Sequence, residues 1–492
     1  MNSFINAINM TTTANGALAH KSTGSHILDF FYHGATLRKD AIKAKKLFKE
    51  AFYEDATTAL RILFYIRDIR GGQGEREVFR KCLFWLAMEH PAWVINNWKL
   101  IPEYGRWDDL VMLVDASIPN HRNICENLYS QLVQDLTNMS HNKPVSLLAK
   151  WMPSENASNP ATRAKAKFIM KLMNIKPKFY RKGLVQLRKH ISIVENNLRT
   201  KEYSTIKYDE LPGKALMKYR KAFHRNDEER FTVAMTKAAN GEAKVNSGTL
   251  YPYEIVQKYG FDFWSNDGWG RHYSRNTDIN PTLEAAWSNL PDYVDDISGL
   301  VVADTSGSMS GMPINVSVSL ALYIAERNKN EAFKDYFITF SEKPTLQKIE
   351  GKTLRERINC LESINPWNTD LQAVFNLVLD RAVKSKVPVE DMPKTLIIVS
   401  DMQFDQACTN NNSTNLERIR ERYNEAGYPM PTLVFWNVNS YSNVPAKMND
   451  DGVLLLSGCS PTVLQYAVSS TFNPMDMVYK ITESERYKNI VF

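Results

Sequence analysis

The chain has 492 residues, 43% of them hydrophobic and 11% aromatic, which is too long for one ordinary core and too apolar for a disordered protein. Two or more globular domains are expected. The net charge of +7 is mild but divided: residues 1–250 carry +15, residues 251–492 carry −8, and 151–225 alone holds 18 basic against 5 acidic residues.

From the start, the first 225 residues read as helix after helix. Ile124, Leu128, Leu132, Leu136 and Met139 form one apolar stripe at helical spacing, and Leu184, Leu187, Ile191, Val194 and Leu198 form another. Turn signals separate such stripes, at Gly71-Gly72-Gln73-Gly74, His90-Pro91, Pro102 to Gly105 and Asn159-Pro160. The pattern predicts an all-α domain over 1–225, a degenerate HEAT-like array of paired helices without an exact repeat period. Residues 226–295, rich in Tyr, Trp, Asn and Gly around 261–270 and acidic at Asp292, Asp295 and Asp296, are expected to form a packed junction.

From 296 to 492 the pattern turns to α/β. Strands are predicted at 300–303, 336–340, 396–399, 433–436 and 453–456, and helices at 314–326, 371–383 and 415–425. Continuously apolar strands alternating with helices imply a mostly parallel sheet covered on both faces, with ligands bound beyond the carboxyl ends of its strands. No apolar run is long enough to span a bilayer, and the opening Met1-Asn2-Ser3-Phe4 lacks the order of a signal peptide. Cys82, Cys125, Cys360, Cys408 and Cys459 are scattered, with no C-x-x-C pair. This argues for reduced thiols in a cytoplasmic protein and against a zinc ribbon or disulfide framework; the chain is expected to be a monomer.

Directly after the first of those strands stands Asp304-Thr305-Ser306-Gly307-Ser308. Alternate residues of a tight loop put Asp304, Ser306 and Ser308 on one side. Thr369 begins a later helix, and Asp401 follows a later strand as Asp304 follows the first. These five oxygens suit a small hard cation such as Mg²⁺, which keeps waters and takes only one or two carboxylates. The competing reading is a polar loop whose Ser and Asp cap the helix that follows. Catalysis is not expected. No His stands beside the serines, Ser306 occupies the place where a phosphatase loop would need its second carboxylate, and the Gly71 to Gly74 run lacks the Lys-Ser/Thr of a phosphate loop.

The D-x-S-x-S loop, the Thr and the later Asp resemble the metal-ion-dependent adhesion site of von Willebrand factor A domains, although Asn368 stands where many such domains have Gly. A helical array followed by such a domain resembles the Ro ribonucleoprotein (TROVE) family. The runs Arg67-Asp68-Ile69-Arg70-Gly71-Gly72-Gln73-Gly74-Glu75-Arg76, Ile101-Pro102-Glu103-Tyr104-Gly105-Arg106-Trp107-Asp108-Asp109 and Ser400-Asp401-Met402-Gln403-Phe404-Asp405 look like a Ro-like branch, a domain of unknown function, found in plants, fungi and viruses. The resemblance implies a ring of HEAT-like repeats closed by the A domain. It also implies binding of small noncoding or single-stranded RNA, and a metal site open to a protein partner's carboxylate. The charge balance places the RNA face on Arg163, Lys165, Lys167, Lys171, Arg181, Lys182, Arg188, Lys189, Lys218, Arg220, Lys221 and Arg225. The rival expectations are a protein-interaction scaffold and an A-domain cochaperone of a separate ATPase.

Overall fold

The computed structural model describes residues 8–191, 193–260, 278–294, 298–340, 344–362, 369–405, 414–439, 441, 443–466 and 473–492. The aromatic run 261–270, Asp295, Asp296, Asn368 and Cys408 lie outside them.

Near the start of the described residues stands a short hairpin, β1 (Met10–Thr12) and β2 (Leu18–His20), where only helices were expected. Asn15-Gly16 at its tip supplies the residue with positive φ that a three-residue hairpin loop requires, with Gly16 at φ 87°. Helices follow: α1 (His26–Gly34), α2 (Ala41–Glu54), α3 (Ala56–Arg67), α4 (Arg76–Glu89), α5 (Pro91–Asn96), α6 (Leu100–Tyr104) and α7 (Trp107–Val111). Next come α8 (His121–Ser140), α9 (Leu148–Trp151), α10 (Pro160–Leu172), α11 (Pro177–His190) and α12 (Val194–Thr200). The stripe expected to run unbroken from Leu184 to Leu198 is therefore two helices. Leu184 and Leu187 join the main core, whereas Val194 and Leu198 join a second, smaller core with Phe223 and Phe231.

That second core is built by α13 (Gly213–Asn226) and α14 (Glu228–Ala239), with Ala285 contributed by α16 (Pro281–Ser288). Together with α15 (Pro252–Tyr259), these helices make the region after 226 a continuation of the helical part.

The C-terminal part is a six-stranded sheet: β3 (Gly299–Ala303), β4 (Tyr336–Thr339), β5 (Leu346–Lys348), β6 (Thr395–Ser400), β7 (Thr432–Asn437) and β8 (Val453–Ser457). The order across it is β5-β4-β3-β6-β7-β8, parallel except for the edge strand β5, which sequence reading missed. The edge strand is three residues long and partly exposed, so it carries none of the buried apolar signal of its neighbours. The helices of this part are α17 (Met312–Arg327), α18 (Leu354–Glu362), α19 (Leu371–Ser385), α20 (Asn415–Ala426) and α21 (Pro474–Thr482). Strand order reverses between β3 and β6, and in doubly wound sheets that crevice is where ligands bind.

The two parts are one packed body. At one end, α1 packs on β8 and α21, and α3 packs on α21; at the other, α15 packs on α17. Both ends of the helical array meet at the α3–α4 loop. There Gln73 donates to the Tyr65 hydroxyl and accepts from the Ser460 N–H, and Thr462 donates to the Gly72 carbonyl. The loop's glycines leave room for this. A Cβ on Gly72 would stand 2.0 Å from the Tyr65 carbonyl oxygen, and one on Gly74 (φ 65°) would stand 2.0 Å from the Tyr251 hydroxyl.

Candidate functional site

Asp304 leaves the end of β3 and Asp401 the end of β6, the two strands that flank the switch point. Both are fully buried. Asp304 accepts from the Ser306 N–H (2.9 Å) and from the Ser400 hydroxyl (2.5 Å). Burial first, and the Asp401 charge second, push its pKa up to about 6. Burial also raises Asp401, opposed by the Ser308 hydroxyl and the Gln403 N–H. Ser306 and Ser308 share a hydrogen bond of 3.1 Å. One oxygen of Asp401, Oδ2, is buried with no hydrogen-bond partner, as is the Thr305 hydroxyl. Two carboxylates at one buried point, one with an unsatisfied oxygen, form an electrostatically costly arrangement that a cation would relieve.

The helix-capping alternative does not hold. The N-cap of α17 is Gly311, with no side-chain cap. The described residues contain no cluster of three or more His, Cys, Asp or Glu suited to a metal, so this site depends on two carboxylates and on hydroxyls. Such an all-oxygen set fits Mg²⁺ and not a softer metal.

Thr369 is buried at the head of α19, and its hydroxyl is engaged with the Gln403 carbonyl and Asp405, each at 3.1 Å. Asp405 also accepts from the Thr369 N–H at 2.8 Å. The structure thus ties Thr369 to the loop after Asp401, and Gln403 links them by donating its own N–H to Asp401 Oδ1 at 3.1 Å. Met402, between the two, holds a left-handed φ of 63°. Ser400, Gln403 and Asp405 were not singled out from sequence as site residues, although all three lie in the Ser400 to Asp405 run.

The basic residues divide into two groups. Lys165 donates to the Val114 and Met112 carbonyls, and burial lowers its pKa. Arg188 spends three donors on Ala149, Ser154 and Met152, each at 2.8 Å, and is likewise lowered by burial. Arg163 holds the Ala157 and Ser158 carbonyls, and Arg220 the Met217 carbonyl. Lys165 and Arg188 tie their helices to neighbouring segments, whereas Arg163 and Arg220 are spent on backbone near or within their own helices. Arg181 is exposed but pairs with Glu155 at 2.5 Å. Lys167, Lys171, Lys182, Lys189, Lys218, Lys221 and Arg225 stand in solvent.

The exposed set forms ridges. On α11, Lys178, Lys182, Val185 and Lys189 fall within an arc of about 60°, and on α13 Lys214, Lys218, Lys221 and Arg225 repeat the same spacing. Each helix carries five Lys or Arg and no Asp or Glu. Phe179, 68% exposed, stands beside the first ridge, and Lys218 lies over the Tyr219 ring at 4.7 Å in the second. Lys178 had not been singled out from sequence, though its place four residues before Lys182 was the signal.

Among known proteins, the model of the domain of unknown function DUF2828 matches residues 13–128 and 155–298, and that of the domain of unknown function DUF7788 matches 298–488. The chain is similar to the uncharacterized protein L728 of Acanthamoeba polyphaga mimivirus, 30% identical over 517 residues, covering 96% of this chain and 87% of the relative. Among solved structures it is similar to the Ro (RSR) protein of Deinococcus radiodurans. There the identity is 12% and the TM-score 0.38, over 88% of this chain and 92% of the other.

Proposed function

The chain belongs to the family of the domain of unknown function DUF2828, and we propose that it is a non-catalytic RNA-binding protein of the Ro-like kind. In this reading the helical part binds single-stranded or small noncoding RNA. The α/β part is a von Willebrand factor A-type domain that offers Mg²⁺ to a partner's carboxylate. The observation that carries the RNA reading is the pair of ridges on α11 and α13. Eleven residues of helix span about 16 Å, and cations repeating along that length match the repeating charge of a phosphate backbone. Among the described residues Lys178, Lys182, Lys189, Lys221 and Arg225 make no ion pair, so their charge is available.

For the metal, Asp304 and Asp401 would supply the charge and Ser306, Ser308 and Thr369 the neutral oxygens, directly or through water. When bound, the ion supplies a Lewis-acidic position for an incoming carboxylate. Among the described residues no His stands beside it to act as a base, which supports a docking site over a hydrolytic one.

The test is fluorescence anisotropy with a labelled single-stranded RNA between about 50 and 200 mM KCl. Two triple variants are compared with the parent, Lys178→Glu/Lys182→Glu/Lys189→Glu and Lys218→Glu/Lys221→Glu/Arg225→Glu. Each should weaken binding and flatten the salt slope by up to about 2, at roughly 0.7 per lost phosphate contact. Affinity and slope equal to the parent's in both variants would sink the RNA reading and put the protein scaffold first. Mg²⁺-dependent turnover of RNA or nucleotide, abolished by Asp304→Ala, would refute the non-catalytic assignment.

A further inference from the structure

The tip of the β1–β2 hairpin, residues 13–17, lies against the loop that carries Asp401. The Thr13 hydroxyl donates to the Phe404 carbonyl at 2.7 Å, and the Ala14 N–H donates to Gln403 Oε1 at 2.7 Å. The Asn15 amide donates twice, to the Gln403 carbonyl at 2.8 Å and to the Thr369 hydroxyl at 3.1 Å. Gly16 makes an isolated antiparallel bridge with Asp405. The base of the hairpin is held elsewhere, by His20 pairing with Val444 in both directions.

Two strands of three residues do not hold together in water by themselves, so this hairpin owes its place to these contacts. They fall on a loop that needs holding. Met402 sits at a positive φ that a non-glycine residue adopts only when its surroundings enforce it. Asn443 grips the loop from one side, accepting from Gln403 Nε2 (2.6 Å) and donating to the Met402 carbonyl (3.0 Å). Asn15 grips it from the other side, and of the two it alone also reaches Thr369.

We infer that Asn15 is a positioning residue of the divalent-cation site, an inference that rests on reading Asp304 and Asp401 as cation ligands. Its amide ties the Thr369 hydroxyl to the loop that carries Asp401, so that the hydroxyl and the carboxylate are presented together. Cation binding and hairpin docking then reinforce each other, because each favours the same loop arrangement.

The test uses the full chain with Mn²⁺ as the probe. Calorimetric titration should give one site in the parent and an affinity weaker by about three- to tenfold in Asn15→Ala, the range that one hydrogen bond is worth. The melting temperature of Asn15→Ala should lie further below the parent's in Mn²⁺ than in EDTA, because the Mn²⁺-induced rise shrinks. In the parent, Mn²⁺ should also slow amide exchange at Ala14 and Gly16, a readout that needs no variant. Equal Mn²⁺ affinity in parent and Asn15→Ala overturns the positioning role and leaves the cation site standing. A melting temperature lowered equally in EDTA and Mn²⁺, with affinity unchanged, reduces Asn15 to a structural contact. Absence of any Mn²⁺ binding by the parent overturns the cation site, and this inference with it.

Discussion

At the scale of single residues, Asp304 carries the sharpest consequence. Its folded pKa, about 6, lies above the unfolded value of 3.8, so the folded state holds the proton more tightly than the unfolded one. That contribution favours folding at low pH and is lost as pH rises from about 4 through about 6. At neutral pH the metal-free chain therefore carries a destabilising charge, which Asp304→Asn removes. The variant should be more stable than the parent in EDTA at pH 7, by about 1–3 kcal/mol, and should lose the stabilisation that Mg²⁺ gives the parent. Scanning calorimetry with and without Mg²⁺ reads both effects. An Asp304→Asn protein less stable than the parent in EDTA, or equally stabilised by Mg²⁺, contradicts the assignment. Asp304, Ser306, Ser308 and Asp401 were legible in sequence because each sits at a fixed offset from an apolar strand. Asn15 was not: its partners Thr369 and Gln403 lie 354 and 388 residues away, and no local pattern encodes such a contact. The Asn-Gly dipeptide is a hairpin signal that the all-helical reading of residues 1–225 passed over.

At the scale of elements, counting charge along 151–225 located a basic region but could not sort its members. Lys165 faces the core side of α10 and ends on carbonyls, whereas Lys167 and Lys171, on the opposite side, reach water. Helical spacing makes that division once the whole apolar stripe is known: Ala166, Phe168, Ile169, Met170 and Leu172 define it in α10, and Tyr180, Leu184 and Leu187 in α11. Arg188 and Lys189 are adjacent in sequence and opposite in role. Arg188→Ala strands two carbonyls and a hydroxyl between α9 and α11 and should cost about 2 kcal/mol, since bonds from a charged donor are worth more than neutral ones but this site is only partly buried. Lys189→Ala should leave stability unchanged. For RNA the order reverses, with Lys189→Ala lowering the salt slope and Arg188→Ala, corrected for its folded fraction, leaving it alone. Urea unfolding and RNA titration on the same preparations check the pair. Loss of stability in Lys189→Ala, or a lowered slope in Arg188→Ala, would contradict the division.

At the scale of the whole molecule, two of the three quoted sequence runs prove to be architecture. Tyr104, from the second run, stacks on Tyr487 at 5.6 Å and donates to the Arg486 carbonyl. Asp109 from the same run is buried between Arg67 (2.7 Å) and Arg80 (2.6 Å). Asp68, from the first run, is fully buried and receives both the Arg486 guanidinium and the Tyr487 hydroxyl, the latter at 2.8 Å. The chain's last residues continue this grip on the first helices, with Arg61 donating to the Ile490 carbonyl, Trp93 donating to the Val491 carbonyl, and Phe492 against Phe52 and His90. The sequence showed two architectures in series. It could not show that residues 418 apart would join them, because a charged side chain reads alike whether it binds a ligand or a distant helix. Asp68 is the point where the coupling can be broken. Asp68→Ala leaves the Tyr487 hydroxyl and a half-exposed guanidinium without their acceptor, a loss of about 2–4 kcal/mol after allowing for the solvent that reaches Arg486. The parent should unfold in urea as one unit, with tryptophan fluorescence and far-ultraviolet circular dichroism changing together. In Asp68→Ala the two probes should separate, because the buried carboxylate that ties the first helices to Arg486 and Tyr487 is gone. If the probes stay coincident and the midpoint hardly moves, the remaining packing and hydrogen bonds hold the helical part and the sheet together, and the buried carboxylate is incidental to their union.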